Sequence, residues 1–248
     1  NLTETEFQSL KQSTMDAAVE VGKTPNEIAK ALYQVVSAGV PAGDALTFVK
    51  TSAQAAVGGV TDTTTAVDGL TTVMNAFHMD ASETNKIADI MFTTVKGGKT
   101  TFGELSSSMS QVAPIAASLG VEFEDVMAAT ATLTKQGTPT AQAMTQIRAS
   151  LVALTKPSED MKALLAEMGF ESGEAALHTL GYQGTLDGLT RASGNNNQVL
   201  AVAFGRVEAL NATLGLTGQN LEMAKADMEA MTRATDDGGA AMQAYDQM

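Results

Sequence analysis

A glycine-threonine step recurs along this chain at an almost constant interval, and that rhythm restricts the fold more than any other feature. Gly22-Lys23-Thr24, Gly59-Val60-Thr61, Gly98-Lys99-Thr100 and Gly137-Thr138 stand 37, 39 and 39 residues apart. A second beat falls between them at Gly39-Val40-Pro41, Met79-Asp80 and Gly120-Val121. A period near 39 residues, split into two apolar-periodic halves, is what stacked helical hairpins produce. One hairpin cannot bury its apolar face alone, so each leans on its neighbours, and such arrays serve as scaffolds more readily than as catalytic pockets.

The segments between the marks carry helical periodicity. Ile28, Leu32, Val35 and Val36 fall on one face of 24–38, where Thr24-Pro25 and Glu27 supply a capping box with proline in the first turn. The stripes continue with Ala45, Leu46, Val49, Ala53 and Val57 in 41–57, and Val67, Leu70, Val73, Met74 and Phe77 in 63–77. Ser82 is the expected N-cap of 82–96, which presents Ile87, Ile90, Met91 and Val95. Leu105, Met109, Val112, Ile115 and Leu119 line 101–119, with Pro114 kinking or dividing that helix. Phe123, Val126, Met127 and Leu133 line 122–135, and Met144, Ile147, Leu151 and Leu154 line 139–155. The glycines sit where helix C-caps are expected. The fold class is therefore all-α: hairpins over residues 24–156, with flanking helices.

Those flanks have coiled-coil character. A register of threes and fours runs through Leu200, Ala203, Val207, Leu210, Leu214, Thr217, Leu221, Ala224, Met228 and Met231, which predicts a long helix over 198–248 weakened at Gly215 and Gly218. Phe7, Leu10, Thr14, Ala17 and Val21 keep the same register in an N-terminal helix over 1–23. Ordinary amphipathic helices folded back on the core satisfy the same spacing. Between the core and the long helix, 157–197 reads as a short helix at 158–168 followed by a linker rich in Gly, Ser and Asn.

With 4% aromatic residues and no Trp, the interior must be built from Ala, Leu, Val, Ile and 14 Met. Methionine fills irregular gaps and suits surfaces that repack. The absence of Cys removes disulfide and thiolate chemistry. The formal charge is −13, distributed as −2 over residues 1–50, −3 over 51–157 and −8 over 158–248. Affinity for nucleic acid comes mostly from Lys and Arg, so this balance speaks against a DNA-gripping surface. There is no secretory signal pattern and no apolar run of about 18 residues that would mark a membrane span. The chain begins at Asn1, and its last residues read as unfinished helix, so a piece of a longer protein is expected.

The search for chemistry returns no catalytic, cofactor-binding or metal-binding residues. Gly98-Lys99-Thr100 and Gly22-Lys23-Thr24 look like the end of a phosphate loop, but the earlier glycine such a loop needs is replaced by Thr93 and Ala17. A C-cap followed by an N-cap accounts for them better. His78 and His178 lie 100 residues apart without ligand-like partners, and His78 follows Phe77 at a helix end, where a cation suits the dipole. Glu171-Ser172 resembles the Glu-Ser pair of lytic transglycosylases, yet the segment that should follow is missing. Glu122, Glu124 and Asp125 stand at a helix start, where negative charge is stabilised.

Between Leu32 and Leu154 the chain resembles the core region of tail tape-measure proteins of long-tailed bacteriophages and related prophages. The blocks that carry the resemblance are Ser37-Ala38-Gly39-Val40, Gly69-Leu70 through Met74-Asn75-Ala76-Phe77, Ala88-Asp89-Ile90, Val112-Ala113-Pro114-Ile115-Ala116 and Leu119-Gly120-Val121. Ala128-Ala129 to Leu133, Gly137 and Leu151 follow. Leu165-Ala166-Glu167-Met168-Gly169 and Phe204-Gly205-Arg206 match the downstream part. The resemblance implies a non-enzymatic virion component that lies in the tail-tube lumen, sets tail length during assembly and leaves ahead of the DNA. It implies tail tube protein, tail assembly chaperones and baseplate or tail-tip proteins as partners, a trimeric or hexameric assembly, no specific nucleic-acid binding, and contact with the host membrane during ejection. A continuous helix of this length would span about 370 Å. The Gly and Pro breaks forbid that, so a folded or docked module is expected rather than the ruler itself. A generic helical scaffold or coiled-coil interaction module and a membrane-inserting helical protein are the alternatives.

Overall fold

A computed structural model of the chain describes residues 4–248, with the side chains of residues 4–7 and 10 excepted. The coiled-coil positions Phe7 and Leu10 therefore lie outside the described side chains. Among the described residues there are fifteen α-helices, three short 3₁₀ turns and no strand, which agrees with the all-α expectation. The first nine helices are α1 (Glu4–Glu20), α2 (Pro25–Ser37), α3 (Ala42–Gly58), α4 (Thr63–Ala76), α5 (Thr84–Gly97), α6 (Phe102–Ser108), α7 (Ala113–Ser118), α8 (Phe123–Lys135) and α9 (Thr140–Thr155). Helices α2 to α5, α8 and α9 match their predicted spans to within about two residues. Pro114 divides 101–119 as expected, because α7 starts one residue before it and a 3₁₀ turn at Met109–Gln111 joins it to α6.

Six of the recurring corners share one geometry, while the one at Gly98 has extended backbone (φ −112°, ψ −175°). A residue with left-handed φ ends the helix, one residue bridges, and the next stands at the N-cap. Gly22 (φ 64°) leads to Thr24, Gly39 (φ 93°) to Pro41, Gly120 (φ 68°) to Glu122 and Gly137 (φ 93°) to Pro139. The bridging N–H closes on the carbonyl five residues back, as in Val40 to Val35 at 3.2 Å and Val121 to Ala116 at 3.0 Å. This is the Schellman arrangement, in which a left-handed glycine lets the chain satisfy the last helical carbonyls. At two corners a residue with a side chain takes the left-handed place: Val60 (φ 51°) and His78 (φ 54°). His78 occupies the position of Gly39 and Gly120, and it is exposed. The N-caps complete the corners. Thr24 and Glu27 form the expected capping box, and Asp62 accepts the Thr65 N–H at 2.8 Å. The expected N-cap at Ser82 is displaced: Asp80 caps a 3₁₀ turn at Ala81–Glu83 and accepts the Ser82 N–H, so the α-helix starts later.

Packing follows the predicted stripes. Leu70, Ile87, Ile90, Met91, Leu105, Met109, Phe123, Met127, Met144, Ile147 and Leu151 are all buried. Val36 is the exception, 47% exposed, because Ala31 completes the inner face of α2 instead. Consecutive helices touch, α2 on α3, α3 on α4 and α8 on α9. Helix α8 is enclosed, with every residue from Val126 to Thr134 buried. Its threonines 130, 132 and 134 turn their hydroxyls onto carbonyls three or four residues back. Buried hydroxyls tied off this way cost little, and their small bulk allows neighbouring helices to approach closely.

The remainder departs from expectation. Residues 159–246 form α10 (Glu159–Glu167), α11 (Gly173–Ala192), α12 (Asn197–Phe204), α13 (Val207–Leu216), α14 (Leu221–Asp237) and α15 (Ala240–Asp246). The expected linker holds a 20-residue helix, interrupted by non-helical backbone at Gly181 (φ 68°, ψ 177°). Its glycines serve close approach: a Cβ on Gly188 would sit 2.5 Å from the Met168 terminal methyl, and one on Gly173 would overlap the Leu154 carbonyl. The expected long C-terminal helix is four helices, which fold back over the array. Helix α13 lies on α9, α14 on α8 and α5, and α15 on α3 and α5. The heptad positions serve that packing: Leu200, Ala203, Thr217, Ala224 and Met231 are buried, with α12 resting on α10 and α13, while Val207 is 63% exposed. Thr14, Ala17 and Val21 likewise turn inward as α1 packs on α2. The accessible surface is 11566 Å² for 25.6 kDa. A compact monomer of this mass exposes about 10,400 Å². The excess is small, and one cluster of buried apolar side chains, from Ala17 to Ala240, joins the array and the C-terminal helices.

Candidate functional site

The residues singled out for chemistry have structural roles. Gly98 ends α5 with extended backbone and Thr101 caps α6, with Glu104 closing a capping box. Ser172 caps α11, accepting the Ala175 N–H at 3.1 Å, while Glu171 faces solvent. His178 is exposed beside Gly120, far along the chain from His78. Among the described residues no group of three or more His, Cys, Asp or Glu could hold a metal ion, and no helix is long and apolar enough to cross a membrane.

The acidic trio at the start of α8 is not one site. Glu122 is exposed. Glu124 lies 3.4 Å from the Lys86 ammonium and accepts the Thr235 hydroxyl at 3.1 Å, so it ties α8 to α5 and α14. Asp125 faces the break in α11, where Gly181 frees the Tyr182 N–H to donate to its carboxylate. Burial, reinforced by Glu122 and Glu124, pushes the Asp125 carboxyl up to about 6 against that hydrogen bond. The Tyr182 phenol is fully enclosed and shares a 2.7 Å hydrogen bond with Ser150 of α9; burial raises its pKa.

What the structure assembles, and sequence reasoning missed, is a set of polar ties that join the C-terminal helices to the array and to one another. Asp89, buried on α5, accepts the Gly239 N–H at 2.8 Å and the Ala241 N–H at 2.7 Å, and so caps α15 from a position 150 residues upstream. Asp227, buried on α14, accepts the Thr132 hydroxyl at 2.7 Å and pairs with Lys135 of α8. Gln136 donates to the Gly215 carbonyl and Gln183 to the Leu216 carbonyl, both at 2.6 Å, and Ser158 donates to Ala203 at 2.8 Å. A buried carboxylate is stable only when fully hydrogen-bonded, which makes these contacts specific as well as attractive. No local sequence pattern marks them, since each needs a partner from a remote helix.

The arrangement is a packed helical block, and comparison with known proteins gives its family. The sequence profile of the phage-related minor tail protein family matches residues 15–205. The "Probable tape measure protein" of Clostridium phage phiCD119 is 32% identical over 245 residues, covering 94% of this chain and 26% of that protein. The "Tape measure protein" of Pneumococcus phage Dp-1 is 22% identical over 167 residues, covering 67% of this chain and 14% of that protein. The chain therefore spans about a quarter or less of the curated relatives it matches. No solved structure matches it.

Proposed function

The chain belongs to the phage-related minor tail protein family, a family of phage tail structural proteins, and from that membership we propose that it is a folded, non-catalytic segment of a tail tape-measure protein. In this reading it lies in the tail-tube lumen of the virion, takes part in setting tail length during assembly, and leaves with the genome at infection. Its contacts are with tail tube protein, tail assembly chaperones and baseplate or tail-tip proteins, in a trimeric or hexameric assembly. The observation that carries the reading is the match along nearly the whole chain to a tape-measure protein almost four times as long.

The fold supports a docking role over a measuring one. A ruler gains about 1.5 Å per residue only as continuous helix. Here no described helix exceeds 20 residues, and the helices double back on one core. The block therefore adds far less to tail length than its residue count, and the measuring helix belongs to other parts of the full-length protein.

An in-frame deletion of the 39 residues from Gly59 to Gly97 in the full-length gene tests this, with tails measured by electron microscopy. The deletion removes α4 and α5 from the centre of the fold, so absent or aberrant tails are expected. Tails shortened by about 60 Å, as about 1.5 Å per residue requires, would make the segment part of the ruler. Normal tails would overturn the tail-assembly role altogether.

A further inference from the structure

The Phe204-Gly205-Arg206 block contributes an anchor, a turn and a free charge. Phe204 is buried, Gly205 turns the chain with φ 66°, and Arg206 stands at the N-cap of α13 with its side chain exposed. No side chain caps that helix start. Arg206 shares a cleft of about 260 Å³ with Thr145, Arg148, Ala149, Val152 and Glu208. The two arginines come from helices 58 residues apart.

Their lack of partners is the informative point. Of the four arginines, Arg191 pairs with Asp187 at 2.7 Å and Arg233 with Glu229 at 3.9 Å. Neither the Arg148 nor the Arg206 side chain has an ion pair or hydrogen bond with a described residue, and Glu208, in the same cleft, pairs with neither. In a chain of net charge −13, two arginines line one cleft and neither side chain is paired. Guanidinium presents a planar fork matched to carboxylate. Ala149 and Val152 give the cleft an apolar wall.

We infer that this cleft between α9 and the α12–α13 turn docks an acidic segment of a partner protein, with carboxylates on Arg148 and Arg206 and an apolar side chain against Ala149 and Val152. Long nucleic acid fits poorly, because the −13 charge repels an extended polyanion. A short acidic segment meets the local positive field instead, which reaches over a Debye length of about 10 Å. The inference rests on the proposed tail role only for where the partner is found.

The test places the photo-crosslinking residue p-benzoylphenylalanine at Val152 of the full-length protein and identifies cross-linked peptides from purified tails by mass spectrometry. Detection of the full-length protein in those tails is scored first. Its absence would fail the tail reading and leave no tail partner for the cleft. With the protein present, cross-links to one acidic segment of a tail protein are expected. They should fall about tenfold or more in Arg148→Glu/Arg206→Glu, since charge-assisted pairs are the strong ones. They should return when acidic residues of that segment are changed to Lys. Cross-links to a neutral or basic segment, no cross-link, or a yield unchanged by the arginine substitutions would each overturn the docking inference. Both arginines are exposed, so the variants keep the fold.

Discussion

The array of residues 25–155 and the C-terminal helices of residues 159–246 are both all-helical, yet they are secured by different means. The array is regular: left-handed corner, N-cap, apolar stripe, repeated along the chain. It coheres through apolar burial between sequence neighbours, with Leu70, Ile90 and Met127 fully enclosed. The C-terminal helices follow no such period. They join the array by apolar burial as well, with Leu216 and Met231 fully enclosed, and add individual polar ties, among them Asp89 to Gly239 and Ala241, Asp227 to Thr132 and Lys135, and Tyr182 to Ser150. Non-directional burial tolerates small shifts, whereas a buried carboxylate accepts only one geometry. Loss of one such tie should therefore release the C-terminal helices before the array, although both share one core.

The largest expected effects test whether the two regions come apart. Leu70→Ala opens a cavity in the array and should destabilise the whole protein by about 3 kcal/mol. Amide hydrogen exchange should then speed up everywhere. Asp227→Ala removes the acceptor of Thr132 and Lys135, at a cost of about 2–3 kcal/mol, with Lys135 partly open to water. Its exchange signature should be local: protection lost across 221–246 and kept across 25–155. Equal loss in both regions would mean one cooperative unit and would break the comparison.

How much of this was legible in the sequence follows the same division. The corners were readable because a left-handed φ favours glycine and a helix start favours residues such as Thr, Asp or Ser, and both are local chemistry. The stripes were readable because burial against sequence neighbours imposes the 3.6 period. Residues 169–197 misled because glycine has two uses. Gly181 breaks α11, but Gly173 and Gly188 are there so that Leu154 and Met168 can come close, which composition cannot distinguish from flexibility. The register from Leu200 to Met231 misled because spacings of three and four serve a folded-back amphipathic helix as well as a coiled coil. Asp89, Asp227, Arg148 and Arg206 were invisible as functional groups: nothing nearby in sequence sets them apart from surface charges.

A smaller effect sharpens the comparison at the junction of α8 and α11. Asp125 has its carboxyl raised from 3.8 to about 6 by burial, so the folded state holds its proton more tightly than the unfolded chain does. For a raised acid the favourable contribution is present below about pH 4 and is lost as pH climbs towards 6. Above that, burying the ionised carboxylate weighs against folding by up to about 3 kcal/mol. Asp125→Asn keeps an acceptor for the Tyr182 N–H without the charge. It should raise the melting temperature at pH 7.5, by an amount equivalent to about 1–2 kcal/mol, and lose that advantage at pH 4. A variant less stable than the parent at both pH values would mean that the charge on the Tyr182 N–H outweighs desolvation.

The smallest effect concerns the array's two irregular corners. Val60 and His78 hold left-handed φ values where the corners at Gly22, Gly39, Gly120 and Gly137 have glycine, at a cost of about 1–2 kcal/mol for an ordinary L-residue. Histidine tolerates the region better than a β-branched residue does. Val60→Gly should therefore stabilise by about 0.5–1 kcal/mol after the added freedom of the unfolded chain is subtracted, and His78→Gly by less. Gly39→Ala, placing a methyl group at φ 93° with no atom within 4 Å to clash, isolates the backbone cost with the opposite sign. Denaturant midpoints at constant slope measure all three. The corner at 58–62 shows why valine persists there. A Cβ on Gly59 would stand 2.5 Å from that of Phe102, so glycine is held at that position by packing and the left-handed place falls to the next residue. If Val60→Gly gives no gain, the strain is relieved by contacts of the valine itself, and the corner is a surface element rather than a compromise between turn and core.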